Sequence, residues 1–176
     1  MKIMRRMYLL VAALALAVVG AQAPASAAVQ QDQDWLNSMH QVNLTEIALG
    51  AMAANNAESP LVKKTAADFA SGHQALDDEL KQVAQQLKVT LPDKPNEQQQ
   101  LAIQKLGMLN GAAFDQLWFA TNVAGHQQAL QAAQNEVKSG QHPQAVALAN
   151  KAVEAISTHI AELKQIAPQL GLPVPQ

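Results

Sequence analysis

Four stretches of the sequence place apolar residues at steps of three and four, and an ionisable side chain interrupts each stripe. The first stripe is Trp35, Met39, Val42, Glu46, Leu49 and Ala53; the second is Val62, Ala66, Phe69, His73, Leu76, Leu80, Val83 and Leu87. The third runs Ala112, Asp115, Phe119, Val123, His126, Leu130, Ala133 and Val137, and the last Ala145, Ala149, Ala152, Ile156, His159, Leu163 and Ile166. Such spacing lays each stripe along one face of an α-helix, and no mature segment shows the period-two pattern of a strand. Amphipathic helices joined by short turns bury their stripes against one another. The expected fold is therefore all-α: an antiparallel up-down-up-down four-helix bundle.

Proline, glycine and small polar residues place the boundaries. The first helix is expected from about Asp34 to Asn55, after a flexible lead over 28–33. Ser59 then reads as an N-cap with Pro60 in the first helical position, and this second helix ends near Lys88, before the prolines of "LPDKPNEQQQ". A short extra helix over Gln98 to Met108 separates helices two and three. Gly107 and Gly111 flank the joint into a long helix ending near Ser139. Pro143 opens the last helix, which stops at Ala167 before Pro168, and the bundle domain spans 34–170 with a tail over 171–176.

The first residues carry an address. Lys2, Arg5 and Arg6 precede an apolar run from Tyr8 to Val19, and Ala25-Ser26-Ala27 fits a small-residue cleavage site, so residues 1–27 read as a signal peptide cut after Ala27. The run is short for spanning about 30 Å of hydrocarbon, and no stable membrane span is expected after cleavage. Whether a Sec or a twin-arginine route is used stays open at Arg5-Arg6. Periplasmic or secreted localisation follows. Cleavage removes three of the twelve Lys and Arg, leaving nine cations against fourteen acids. A mildly acidic chain without a basic patch excludes nucleic acid as a partner. Without cysteine, disulfides and thiolate metal sites are excluded too.

The interruptions of the stripes carry what chemistry there is. With a rise of about 1.5 Å per residue, Glu46, His73, His126 and His159 can share one layer near mid-height, while Asp115 lies roughly 16 Å from His126 along its own helix. Three imidazoles and a carboxylate form a four-ligand set for one divalent metal: Zn, Mn, Fe or Cu. The same four groups could instead satisfy one another as a buried hydrogen-bonded network. Asp77 and Glu162 follow His73 and His159 by about one turn, either as partners that orient the imidazoles or as solvated shoulder groups, and the shoulder is the expectation for both. A di-iron centre is disfavoured because no E-x-x-H pair occurs. His40 falls off the stripe and is expected at the surface, His142 in an exposed turn. Met39, Met52 and Met108 read as core filler, and no nucleophile or nucleotide-binding motif appears.

"LVKKTAADFASGHQAL", "GAAFDQLWFATNVAGHQQAL" and "STHIAELKQIAPQLG" resemble the DUF4142 family over roughly Asp32 to Leu170. The resemblance implies an exported bacterial domain with a ferritin-like four-helix bundle and no established activity. Its characteristic polar positions fall on Glu46, His73, Asp115, His126 and His159. Gly72 stands where the family usually has Asp, and Trp118 where it often has Tyr. Three functions fit: an envelope bundle binding one metal, a metal-dependent oxidoreductase or peroxide-handling enzyme, or a structural stress protein with a buried polar layer. A second copy of the chain or another envelope protein is the partner such a bundle could take.

Overall fold

Caps and prolines end the helices close to where the sequence puts them. The computed structural model describes residues 25–175, with side chains from 29 onward. It has five α-helices: α1 Ala25–Asn56, α2 Pro60–Leu87, α3 Glu97–Gly107, α4 Ala112–Ser139 and α5 Pro143–Ile166, followed by a 3-10 turn, Pro168–Leu170. No strand occurs among the described residues. Ser59 accepts from the Leu61 N–H ahead of Pro60, and Asn96 forms a reciprocal capping box with Gln99. Lys88 ends α2 by turning left-handed (φ 58°), which lets the Val89 N–H donate to the Ala84 carbonyl at 2.8 Å.

One boundary differs. The segment 28–33, expected as a flexible lead, is already helical, and α1 starts at Ala25. Tertiary bonding explains the extension: buried Asp32 accepts the Gln141 N–H at 2.9 Å and the His142 N–H at 3.0 Å. A carboxylate from α1 thus caps the turn that opens α5. The signal-peptide reading over 1–24 lies outside the described residues, and the expected cut after Ala27 falls in the first turn of α1.

The long helices meet in a closed series of contacts, with α1 against α2 and α4, and α5 against α4 and α2; α3 lies on α1 and α4. Gly50 permits the close approach of α1 to α2, since a Cβ there would stand 2.5 Å from the Ala70 Cβ and 2.7 Å from the Ala66 carbonyl. Two apolar clusters result. One gathers Leu49, Phe69, Leu106, Phe114, Trp118 and Leu163; the other gathers Trp35, Met39, Leu80, Ala133, Leu148 and Ile156. Along α2 and α4 the first cluster comes before the second, and along α1 and α5 the order is reversed. Between them the buried side chains are polar: Asn43, Thr45 and Glu46 on α1, His73 on α2, and Asn122 and His126 on α4, with His159 half-buried on α5. Met108, expected as core filler, is 74% exposed, because it follows the end of α3 while Leu106 takes the inward position. Among the described residues, no helix is long and apolar enough to cross a membrane.

Candidate metal centre

Three histidines meet between the two apolar clusters. His73 on α2 and His126 on α4 are buried at 2% exposure, and His159 on α5 is half-buried. His126 Nε2 lies 3.5 Å from His73 Nε2 and 3.1 Å from His159 Nδ1, and one ring nitrogen from each residue falls within 4.8 Å of the others. Phe69 stacks on the His159 ring, with centroids 4.1 Å apart and planes 19° from parallel. Gly72 leaves room for that ring: a Cβ at position 72 would stand 3.3 Å from His159 Nε2.

The outer partners fix which nitrogen of each ring carries a proton. His126 Nδ1 lies 2.9 Å from the Asn122 carbonyl, which can only accept, so Nδ1 donates and Nε2 keeps its lone pair. His73 Nδ1 lies 2.9 Å from Asn43 Oδ1, while Asn43 Nδ2 donates to Asp77 Oδ1 at 3.2 Å. Asp77, which also pairs with Lys81, accepts from the Asn43 amide nitrogen, so that amide is oriented with its oxygen toward His73, and His73 Nδ1 donates. His73 Nε2 and His126 Nε2 therefore face each other with two lone pairs and no proton between them.

Electrostatics keep these rings neutral. Burial, followed by the neighbouring imidazoles His126 and His159, holds His73 well below its usual value. Burial and then the proximity of His159 lower His126 to about 4, against a smaller upward pull from the Asn122 carbonyl, and burial alone lowers His159 to about 4. Neutral imidazoles are the form that binds a metal.

The other candidate residues go elsewhere. Glu46 is buried on α1 but is not in the histidine group. One of its carboxyl oxygens lies 3.8 Å from where a Cβ on Gly125 would stand, at the wall of a cavity between α1, α3 and α4, and burial raises the carboxyl to about 8. Asp115 accepts the Glu58 N–H at 3.2 Å and the Ser59 N–H at 2.8 Å, so it caps the start of α2 from α4. Glu162 accepts from Thr65 Oγ1 at 3.3 Å and is half-buried at the shoulder.

Asp77 and His40 correct the sequence reading. Asp77, expected on the solvated shoulder, is fully buried, and His40, expected at the surface, is 5% exposed with Nδ1 2.6 Å from Asp77 Oδ1. The two pair because α1 and α2 pack closely enough to enclose both, and Lys81 reaches Asp77 Oδ2 at 2.8 Å from the solvent side. His142, expected in an exposed turn, is half-buried and accepts the Gln144 N–H as the N-cap of α5. Sequence reasoning missed Asn43 and Asn122, both fully buried. The available signals were local: Asn43 lies one turn beyond Met39, and Asn122 one turn before His126.

The fold and this site define a small all-α domain with a buried histidine centre between two apolar cores. The chain belongs to the DUF4142 family, a domain of unknown function, which it matches over residues 17–166. No curated protein matches it. Among solved structures it is similar to a DUF305 protein from Streptomyces coelicolor described as secreted, with a TM-score of 0.70 and 14% identity over 83% of this chain and 96% of that one. A DUF305 fragment from Deinococcus radiodurans follows with a TM-score of 0.68 and 14% identity, covering 80% and 95%. CopM in its Cu(I)-bound form gives a TM-score of 0.65 and 22% identity, covering 78% and 96%. At these identities the likeness is one of fold.

Proposed function

We propose that the protein is an exported metal-binding bundle in which His73, His126 and His159 hold a single ion. The reversed order of the two apolar clusters along neighbouring helices supports an antiparallel, ferritin-like four-helix arrangement. One observation carries the metal reading: two imidazole lone pairs, fixed by Asn43 and the Asn122 carbonyl, oppose each other at 3.5 Å inside the core. A hydrogen bond from His159 can satisfy His126 Nε2, but it leaves His73 Nε2 without a donor. A cation satisfies all three. Three imidazoles around one ion at metal–nitrogen distances near 2.0–2.1 Å place their nitrogens about 3.4 Å apart; the two pairs that include His126 stand at 3.5 and 3.1 Å, and all three nitrogens fall within 4.8 Å of one another.

Charge favours copper(I) within the Zn, Mn, Fe and Cu set. The three ligands are neutral and Glu46 stands apart, so a divalent ion would leave two uncompensated charges in a buried layer, and a monovalent one only one. The Cu(I) form of CopM, on a similar fold, agrees with this reading.

The test is metal analysis of untagged protein after anaerobic loading with Cu(I) or Zn(II), beside His126→Ala. One ion per chain in the wild type and none in the variant is expected, with Cu(I) retained against a chelator that strips Zn(II). No metal in either protein would make the layer a structural hydrogen-bonded network. Turnover of peroxide by the loaded protein would move the reading to an oxidoreductase.

A further inference from the structure

A cavity of about 270 Å³ opens between α1, α3 and α4. Buried Trp35, Met39, Glu46 and Ala129 form its floor, and exposed Ala124 and Gln128 lie at its rim. Its volume corresponds to about nine waters, enough for a small organic molecule. Glu46 is the single ionisable residue in the lining, where no Lys, Arg or His occurs. The residue is 5% exposed, and burial alone, with no facing charge, governs its carboxyl. Trp35, also in the lining, has a buried indole N–H without a partner.

We infer that this cavity binds a small organic cation, an ammonium on an apolar body, with the ammonium on Glu46 and the body against Trp35 and Met39. Charge complementarity selects the class. An anion would find no cation in the lining, and one carboxyl beside a thioether is a poor ligand set for a metal, whereas a bound ammonium would hold Glu46 ionised against the burial that otherwise keeps it protonated. An ammonium satisfies the acid, and the indole face favours a cation or an apolar body beside it. α3 supplies one wall, which gives this short helix a role the histidine layer does not require.

The probe is 2-phenylethylammonium, titrated calorimetrically into the wild type beside its neutral isostere 2-phenylethanol. Saturable binding is expected, weaker for the alcohol and for Glu46→Gln by about tenfold or more, the usual range for losing a charged hydrogen bond. Ala124→Leu, at the exposed rim, should block the amine while the protein stays folded and keeps whatever metal the histidines hold. Absence of saturable amine binding, equal affinity for amine and alcohol, or full affinity in Ala124→Leu would each overturn the site. Metal retention in that variant keeps its failure separate from that of the histidine centre.

Discussion

Asn43 Oδ1 accepts a hydrogen bond from His73 Nδ1 at 2.9 Å, and through that bond α1 decides which nitrogen of an α2 histidine faces the core. The bond passes further orientation inward from Asp77, which holds the other end of the same amide. Metal affinity should therefore depend on a residue that would not touch the ion. Asn43→Ala leaves all three imidazoles in place yet should weaken metal binding by about 10–100-fold. Competition against a chromophoric chelator measures this, and unchanged affinity would remove Asn43 from the site.

Acid should weaken the metal-free fold. His126 and His159 titrate near 4 in the folded protein and near 6.5 when unfolded. Between those values the unfolded chain takes up protons that the folded one refuses. Their stabilising contribution is thus fully present above about pH 6.5 and is lost as pH falls toward 4. For His126 the loss is on the order of 3 kcal/mol. Urea midpoints measured from pH 7 to 4 should fall, and His126→Leu should flatten that slope; equal slopes would contradict the burial argument.

Glu46 should act with the opposite sign. Its folded value, raised to about 8 from 4.5, means the folded state keeps a proton the unfolded chain has released. Stability is then lost as pH rises from 4.5 through 8, by about 5 kcal/mol at most. Glu46→Gln should raise the melting temperature at pH 9 and have little effect at pH 5. A variant that gained nothing at pH 9 would show the acid to be solvated.

The two caps from opposite hairpins should contribute separately. Asp115 closes the turn before α2, and Asp32 the turn before α5. Replacing either with Ala removes an acceptor from two backbone N–H groups and should cost about 1–2 kcal/mol. The double variant should lose the sum, because the caps share no partner. Denaturant unfolding checks this, and strong non-additivity would mean that the two turns are coupled through the core.

The helices were legible because their signals are local. Ser59-Pro60, Pro143 and Pro168 act within a turn of themselves, so the boundaries of α2 and α5 follow from neighbouring residues. The start of α1 was not, because Asp32 holds it through Gln141 and His142, far along the chain. The histidines were legible as interruptions of apolar stripes: His73, His126 and His159 each stand where a leucine would fit.

Periodicity states that a side chain faces inward, and there its information stops. It placed Glu46 beside the histidines, although a rotation of one helix turns a carboxylate from the layer into the neighbouring cavity. It put His40 and Asp77 outside, where the close packing of α1 on α2 buries them as a pair. The sequence by itself determined the helices, their caps and the three imidazoles on inward faces, since these depend on spacing within a few residues. Only the tertiary structure decided that the imidazoles converge, that Asn43 and Asn122 set their tautomers, and that Glu46 faces a cavity of its own. Those outcomes depend on distances between atoms on different helices, which packing fixes and sequence spacing does not encode.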